Sequence, residues 1–349
     1  MANGTIYTLA EELGVSPSTI SRALNNSPKI SEKRRREIKE LARKKGFKLR
    51  DFAPRLTNLC ILICTDGKEE TIFSSYTEQV MNGVNKYCTE QELEFSIYSS
   101  PREKLNRINI VKELFRRNAD GVIVLNANDD CSFIAQLEKE KLPYCCLLSG
   151  NPQFSENILT VNNETLAERA VDYLIQLGHR NIAFLHSAPH NPAQRDRLKG
   201  YRNALAKANL PLNREHIPDV PPTFSATGIE HGFQATTRLL AKHLEITAVF
   251  AASTDLAAGA RSAFYRKGLR IPDDISLLGC DNSQEAEYFC PPLTVLDIPN
   301  ARIGRAAAAW IHRKLQGEGA AHPPTEPWMQ GSLIIRDTTA PPRAGSLRV

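Results

Sequence analysis

The sequence predicts a three-helix, helix-turn-helix headpiece at the N-terminus, followed by an α/β body of two doubly wound parallel-sheet lobes. Three observations carry this prediction. Two short amphipathic helices flank a glycine near the start of the chain, strand-length apolar runs then alternate with helical segments, and positive charge is concentrated in the first 57 residues. A chain of 349 residues is long enough for two or three domains.

The stretch 5–25, TIYTLAEELGVSPSTISRALN, has the pattern of a helix, a turn and a second helix. The first helix is expected to end at Gly14, because glycine adopts left-handed backbone angles at little steric cost. Ser16 is an N-cap for the second helix, and Pro17 suits its first position. Apolar residues at helical spacing give both helices an inward face: Leu9, Ala10, Leu13, Ile20, Ala23 and Leu24. Such a pair of helices is either an ordinary hairpin on a core or a motif whose second helix enters the DNA major groove.

A third helix is expected between Ser31 and Gly46, with apolar residues at helical spacing facing the same core. Three helices complete a headpiece over residues 1–47. Residues 48–58 then form a hinge or linker, in which Pro54 interrupts any long helix.

Positive charge belongs to the headpiece and linker. Residues 1–57 hold 13 Lys/Arg and six Asp/Glu, a net charge of +7, whereas the whole chain carries +5, so the remainder sums to −2. A basic module on a near-neutral body favours nucleic-acid binding, because neutralising phosphates releases counterions. A solvated basic helix accounts for single clusters of arginine and lysine. It does not account for the whole excess beside a helix-turn-helix pattern.

From Leu59 onward, apolar runs of strand length alternate with amphipathic helical segments. This alternation indicates parallel strands covered by helices on both faces, and the number of runs indicates two similar lobes. Ligands in such folds bind at the carboxyl ends of the strands. The runs are LCILIC at 59–64, FSIYS at 95–99, GVIVL at 121–125, YCCLL at 144–148, NIAFLH at 181–186, AVFAA at 248–252 and SLLGC at 276–280. The tail from Thr338 is rich in proline and small residues and is expected to be disordered.

Several classes of protein are disfavoured by what the sequence lacks. The eight cysteines form no CxxC pair and have no neighbouring histidines, so reduced, mostly buried thiols are expected. No apolar segment has the length of a signal peptide or a membrane span, so a cytoplasmic protein is expected. Nucleophile-elbow, P-loop and zinc-protease motifs are also missing, which argues against an enzyme, and no cofactor or metal is expected. His179, in the sequence GHRN, is interpreted as a structural residue.

Specific motifs recur at intervals through nearly the whole chain. They are Ala10-Glu11, Gly14–Ser16 and Thr19–Asn25 in the headpiece, and Ala119–Ile123, Leu177–Ala183, Arg197–Tyr201, Thr254–Gly259, Ile271–Ser276, Gly279–Asn282, Pro292–Thr294 and Leu333–Arg336 in the body. By these motifs the chain resembles the lactose/galactose-repressor (LacI/GalR) family of bacterial transcription regulators. The resemblance implies a homodimer or tetramer that binds double-stranded operator DNA through paired headpieces. It also implies a periplasmic-binding-protein-like body with a small-molecule cleft.

The resemblance further implies an effector-binding and dimerisation domain, residues 59–340, whose two lobes are interwoven. The expected segments are about 58–161 with 291–325 for lobe 1, 162–290 with 326–340 for lobe 2, and a disordered tail at 341–349.

On the family's pattern, Pro17, Ser18 and Arg22 are aimed at base edges. Arg22 is expected to be the strongest reader, because arginine can donate two hydrogen bonds to guanine; a phosphate contact is the alternative. Short polar groups suited to phosphate contacts are Thr5, Ser16, Ser21 and Asn25. For Ser16, the capping role is equally adequate.

Leu56 matches a leucine that family members wedge between base pairs from a hinge helix in the minor groove. The linker departs from the family's pattern, because Pro54 stands where arginine is usual and the segment is shorter. Packing of Leu56 on the body is therefore nearly as good an interpretation as the wedge.

Arg197 and Asp255 match the two charged positions that the family uses to hold effector hydroxyls or ring nitrogens. A guanidinium and a carboxylate on opposite sides of a cleft would orient a polyol, whereas a structural ion pair is the alternative. Asp281 ends a strand and is a third candidate, with a turn role as its alternative. The remaining cleft candidates are Tyr76, Asn126 and Phe224, of which the two aromatic residues suit either the core or a ligand face.

The sequence thus predicts an allosteric regulator, expected to be a repressor, whose operator affinity is changed by a small-molecule effector. A sugar is the effector class that the family suggests. Activation, and whether the effector releases or promotes DNA binding, stay open at this point. A solute-binding protein fits the basic headpiece poorly, and a sugar-processing enzyme lacks a catalytic motif.

Overall fold

In the computed structural model the chain divides into two compact units, residues 1–57 and residues 58–349. The structure describes residues 6–24, 30–45, 56–65, 67, 74–148, 156–186, 191–219, 228–242, 245–318, 322–324 and 330–343, without the side chains of Ile6, Tyr7, Ser18, Ser21, Arg22 and Arg43.

The first unit is the predicted three-helix headpiece. Its helices are α1 (Ile6–Glu12), α2 (Pro17–Leu24) and α3 (Glu32–Lys44). Leu9, Ile20 and Ile38, one from each helix, are at most 1% exposed and pack together with the other apolar residues predicted to face inward. The turn after α1 has Gly14 at a φ of 59°, the left-handed conformation for which a glycine was expected.

The first lobe of the body contains a five-stranded parallel sheet with the strand order β2-β1-β3-β4-β5. Its elements are β1 (Asn58–Thr65), α4 (Ser75–Glu90), β2 (Glu94–Pro101), α5 (Arg102–Arg107), α6 (Ile110–Arg116), β3 (Gly121–Leu125), α7 (Ile134–Lys139), β4 (Tyr144–Leu147) and β5 (Ile158–Leu159). Strand β1 is buried along its whole length, as its continuous apolar run predicts, and its Leu62 pairs with Tyr98 on one side and Val124 on the other.

The second lobe contains another five-stranded sheet, with the order β10-β9-β8-β7-β6 and only β10 antiparallel. The remaining elements are α8 (Asn163–Gln176), β6 (Ile182–Leu185), α9 (Pro192–Lys207), α10 (Gly228–Ala241), β7 (Ala248–Ala251), α11 (Thr254–Arg266), β8 (Ser276–Cys280), α12 (Gln284–Glu287), β9 (Thr294–Asp297), α13 (Asn300–Leu315) and β10 (Ser332–Ile334). Helix α13 packs on α4, β3 and β4, and so belongs to the first lobe. The predicted fold class is confirmed.

The chain leaves the second sheet later than expected. Strand β9 pairs with β8, where Val295 lies opposite Gly279, so it belongs to the second lobe. The expected boundary between residues 290 and 291 is therefore wrong by one strand, and the crossing lies between Asp297 and Asn300. The physical reason is that the short run TVLD has too few residues to be recognised as a strand on its own, yet it is buried between two partners.

The tail expected to be disordered is ordered at its start. Thr338 is fully buried, and its hydroxyl accepts a hydrogen bond from the backbone of Thr294 at 2.8 Å. Further on, Arg343 pairs with Asp274 at 3.3 Å. The expectation of disorder is therefore wrong for residues 338–343, because this segment supplies partners to polar groups at the edge of the second sheet. Residues 344–349 lie outside the described part of the chain.

His179 joins this tail to the second sheet. It is 1% exposed, and its Nδ1 shares a hydrogen bond with the hydroxyl of Thr247 at 2.9 Å. Its Nε2 lies 3.1 Å from the Ser276 hydroxyl and 2.9 Å from the carbonyl oxygen of Ala340. Burial lowers the pKa of the imidazole. These contacts give His179 the structural role that the sequence suggested.

Most cysteines of the chain lie in the apolar cores of the body. All eight cysteines are free, and seven are buried, with Cys290 exposed. Within the described ranges, no helix combines the length and apolar character needed to cross a membrane.

Gly304→Ala is expected to destabilise the body. Helices α4 and α13 cross closely, and a Cβ at Gly304 would overlap the backbone carbonyl of Val80. We expect the free energy of unfolding to fall by about 1–3 kcal/mol, because a backbone group cannot rotate away from the overlap. Urea-induced unfolding followed by circular dichroism measures this change. Gly67→Ala is the control, since a Cβ there meets no atom within 4 Å, and equal unfolding midpoints for the two variants would contradict the close crossing.

Candidate functional site

Helix α2 of the headpiece presents its N-terminus to solvent. The backbone N–H of Thr19 donates to the Ser16 hydroxyl at 3.2 Å, so Ser16 caps the helix, and Pro17 follows as its exposed first residue. No acidic residue lies in the first turn, so the partial positive charge of the helix dipole is available to a phosphate. Of the other predicted DNA contacts, the side chains of Ser18, Ser21 and Arg22 and the whole of Thr5 and Asn25 lie outside the described residues.

Leu56 closes the linker immediately before the body. Its side chain is 42% exposed, whereas Pro54 lies outside the described residues. An exposed leucine retains the apolar surface that a minor-groove wedge requires.

The cleft candidates of the body follow strands of both sheets. In the first lobe, Tyr76 lies in the first turn of α4 after β1, and Asn126 follows β3. In the second lobe, Arg197 lies on α9 after β6, Asp255 lies in the first turn of α11 after β7, and Asp281 follows β8. Phe224 lies outside the described residues. Asn126 and Asp281 have φ angles of 58° and 74°, and this left-handed region is tolerated best by Asn and Asp among side-chain-bearing residues. The described candidates therefore lie at or just beyond the strand ends where such folds bind ligands.

Arg197 is held inside the second lobe. It is 5% exposed, its Nε donates to the side-chain oxygen of Asn163 at 2.9 Å, and its Nη1 donates to the carbonyl oxygen of Ala252 at 2.5 Å. Arg197 on α9 and Asp255 on α11 both belong to the second lobe, in agreement with the expected lobe bounds of 162–290. The two side chains therefore belong to one preorganised surface of the second lobe.

Asp255 is a partly buried carboxylate with an unusual proton affinity. Burial, with smaller contributions from the charges of Asp281 and Glu285, raises its pKa to about 6. A Cβ at Gly228 would lie 2.9 Å from the Cβ of Asp255, so the glycine lets α10 cover one side of this residue. Burial and the like charges of its neighbours together disfavour the ionised form of this carboxylate, and such perturbed carboxyl groups are frequent in binding sites.

Tyr76 brings a phenol from the first lobe towards these charges. Burial raises the pKa of its hydroxyl, Asp281 raises it further, and Arg197 lowers it, so the three groups lie within electrostatic range. Among the described residues its buried hydroxyl oxygen meets no hydrogen-bond partner. A buried phenol without a partner is costly unless a ligand or water satisfies it.

Asp281 connects the lobes. It is 4% exposed, and its Oδ1 accepts a hydrogen bond at 3.0 Å from the side-chain nitrogen of Asn300, the first residue of α13. Since α13 packs on the first sheet, this buried contact lies where the chain passes between lobes. One carboxylate oxygen of Asp281 is therefore already engaged.

Asn163 and Asn300 position Arg197 and Asp281, and the sequence alone predicts neither contact. Both stand at the starts of helices, at points where the chain passes between the lobes. An amide side chain at each crossing was visible in the sequence. The partner of each amide is not visible there, because Arg197 and Asp281 are distant along the chain.

Comparison with known proteins agrees with this architecture. Residues 5–48 match the family model described as "Bacterial regulatory proteins, lacI family", and residues 171–339 match the model described as "Periplasmic binding protein-like domain". The chain is 32% identical over 308 residues to the probable HTH-type transcriptional repressor ExuR of Bacillus subtilis (strain 168), covering 86% of this chain and 88% of that protein.

Two solved structures are similar over almost the full length. The transcriptional regulator CelR–cellobiose complex has a TM-score of 0.68 at 24% identity, covering 96% of this chain and 99% of that chain. The lac repressor dimer bound to operator and the anti-inducer ONPF has a TM-score of 0.67 at 23% identity, covering 97% and 100%. At this level of identity the two likenesses establish the fold.

Proposed function

Because the chain belongs to the LacI family of bacterial regulatory proteins, we propose that it is a repressor whose operator affinity is changed by a small carbohydrate bound between the two lobes. It is a DNA-binding transcriptional regulator, and not an enzyme, as the sequence predicts. The observation that carries the finer proposal is that the buried Tyr76 phenol of the first lobe lies within electrostatic range of Arg197 and Asp281 of the second lobe, and that Asp281 also acts on Asp255.

The chemistry of these groups suits a polyhydroxylated ligand. The Asp255 carboxylate accepts hydrogen bonds from hydroxyl groups, the Tyr76 phenol can donate or accept one, and the Arg197 guanidinium donates. Hydrogen bonds to charged groups discriminate strongly between hydroxyl positions, because an unmatched buried group loses its partner. A structural neighbour whose name includes cellobiose supports a sugar as the effector class.

We propose a homodimer that binds a pseudo-palindromic operator in the bacterial cytoplasm. Each headpiece places its helix α2 in a major groove, and the two headpieces of the dimer read two half-sites about 34–36 Å apart. The likeness to a lac repressor dimer bound to operator supports this arrangement. Pro17, Ser18 and Arg22 would then face bases, whereas Thr5, Ser16, Ser21 and Asn25 would contact phosphates, and Leu56 would enter the minor groove.

The ligand acts by its different affinity for two arrangements of the lobes. Tyr76 and Asn126 lie on the first lobe and Arg197, Asp255 and Asp281 on the second, so an occupant that contacts both groups favours one arrangement. The coupling is reciprocal: operator DNA changes ligand affinity by the same factor. A thermal-shift screen of neutral sugars and nucleobases, followed by operator binding with and without each hit, tests the proposal. Operator affinity unchanged by every saturating hit would refute it.

Arg22→Ala is expected to relax operator specificity at one base pair. A bidentate arginine–guanine contact contributes about 1–3 kcal/mol of discrimination. We therefore expect affinity for the preferred operator to fall by about 5- to 150-fold, while affinity for the operator mutated at that base pair changes little. Fluorescence anisotropy with an operator obtained by in vitro selection measures both affinities. Arg36→Ala, at an exposed position of α3, is the control, and equal losses on all sequences would reassign Arg22 to a phosphate.

A further inference from the structure

An ion pair joins the two lobes of the body. Nη1 of Arg195, in the first turn of α9, lies 2.6 Å from Oδ2 of Asp129, on the loop that follows β3. The two residues come from different sheets and are 66 positions apart in the chain. Other ion pairs of the body, such as Lys207–Glu168 and Arg305–Glu90, join elements of a single lobe.

The Asp129 side is held by the first lobe. We name residues 126–132 the β3 loop. Arg102 is 8% exposed beneath it, its Nη1 donates to the carbonyl oxygen of Asn126 at 3.3 Å, and its Nε lies 3.5 Å from Oδ1 of Asp130. Asn106 donates to the carbonyl oxygen of Asp130 at 2.8 Å. The β3 loop is therefore fixed on both sides of Asp129, which makes that carboxylate a defined target rather than a mobile surface charge.

The Arg195 side is held by the start of α9. Asn191 caps the helix by accepting from the backbone of Gln194 at 3.3 Å, and the backbone N–H of Arg195 donates to the carbonyl oxygen of Asn191 at 3.0 Å. Arg197, two residues further on, is directed into the second lobe. The same helix turn therefore carries one arginine towards the opposite lobe and one into its own.

We propose that Asp129 and Arg195 form an interlobe latch, which favours the arrangement of the lobes in which these two side chains are in contact. The effect of this latch on DNA binding rests on the proposed function, in which a shift in lobe arrangement is the signal that reaches the operator. The two side chains are 54% and 45% exposed. Exposed ion pairs shift a two-state equilibrium by up to about fivefold, and salt screens them. A ligand can still overcome a shift of this size in the equilibrium between the two lobe arrangements.

The test measures the distance between the lobes in the full chain without DNA or ligand. Nitroxide labels are attached at Lys112→Cys in the first lobe and Lys267→Cys in the second, both at exposed positions, in a Cys290→Ser background that removes the exposed native thiol. Pulsed electron paramagnetic resonance then gives the distribution of distances. Asp129→Arg and Arg195→Asp are each expected to shift the population towards longer distances. The doubly substituted chain, in which the charges are exchanged, is expected to return to the original distribution.

A matched control has the same change of charge on the same helix. Lys207→Asp breaks a pair within the second lobe and is expected to leave the distances unchanged. One molar salt is expected to lengthen the distances in the parent chain and not in Arg195→Asp. Single variants that keep the parent distribution, or an exchanged pair that fails to restore it, would overturn the latch. Neither result bears on operator binding, which the Arg22 experiment tests separately.

Discussion

Ile20→Ala is expected to abolish operator binding while leaving the body folded. Ile20 is fully buried between Leu9 and Ile38 in the core shared by the three headpiece helices. Truncating a buried isoleucine to alanine costs about 2–5 kcal/mol. A helical unit of this size has a single small core, which rarely supplies more than about 3–5 kcal/mol of stability. The substitution therefore removes most or all of the headpiece's stability, and with it the geometry of α2.

Three measurements separate this outcome from general unfolding. Anisotropy with a labelled operator is expected to show a loss of at least about 100-fold, since an unfolded headpiece is no longer preorganised for the major groove. Limited proteolysis is expected to remove the headpiece and leave a fragment that begins near Asn58. Ligand-induced thermal shifts of the body are expected to persist. Glu40→Ala, at an exposed position of α3, serves as the control, and operator affinity within twofold of the parent chain would contradict the prediction.

The headpiece is the part of the fold that local sequence determines most completely. Three local signals favour the same three-helix fold: the apolar spacing, the Ser16 cap and Gly14, each of which acts over three or four residues. The structure confirms this predicted fold. The continuous apolar runs predict the strands of both sheets for the same reason. A strand buried on both faces has few positions at which a polar residue is tolerated.

The cleft is less predictable because its polar contacts join distant parts of the chain. The partner of Arg197 is Asn163, and the partner of Asp281 is Asn300. Neither pair has the spacing of a helical or strand repeat that would relate its two residues in the sequence. The ordered tail has the same origin, since Thr338 is held by a strand that the sequence pattern did not reveal. Residue types at strand ends indicate where a ligand binds, whereas the topology decides which lobe each side chain belongs to.

Asp255→Asn is expected to remove most of the affinity for the ligand. A hydrogen bond to a charged group contributes about 1.5–3 kcal/mol, and an amide keeps the size of the carboxylate without its charge. We therefore expect the dissociation constant of the saccharide that gives the largest thermal shift to rise by about 10- to 150-fold. Without ligand, the variant is expected to melt at a higher temperature than the parent at pH 7.5, because the buried charge whose pKa is raised no longer opposes folding. A variant that lost ligand affinity and also melted earlier would indicate a structural role instead.

The pH dependence of ligand binding distinguishes a carboxylate acceptor from any other role of Asp255. Its pKa is raised to about 6 in the folded, unliganded protein, so the side chain is ionised at pH 7.5 and largely protonated at pH 5. Ligand hydroxyls that donate to the carboxylate favour the ionised form, and binding therefore releases a proton near pH 6. The dissociation constant is expected to double near the pKa and to rise about tenfold one pH unit below it. Calorimetric titrations at pH 7.5, 6 and 5 measure this rise, and Asp255→Asn, which cannot ionise, is expected to lack it. Affinity that is constant or improves as the pH falls would show that the ligand does not use the carboxylate as an acceptor.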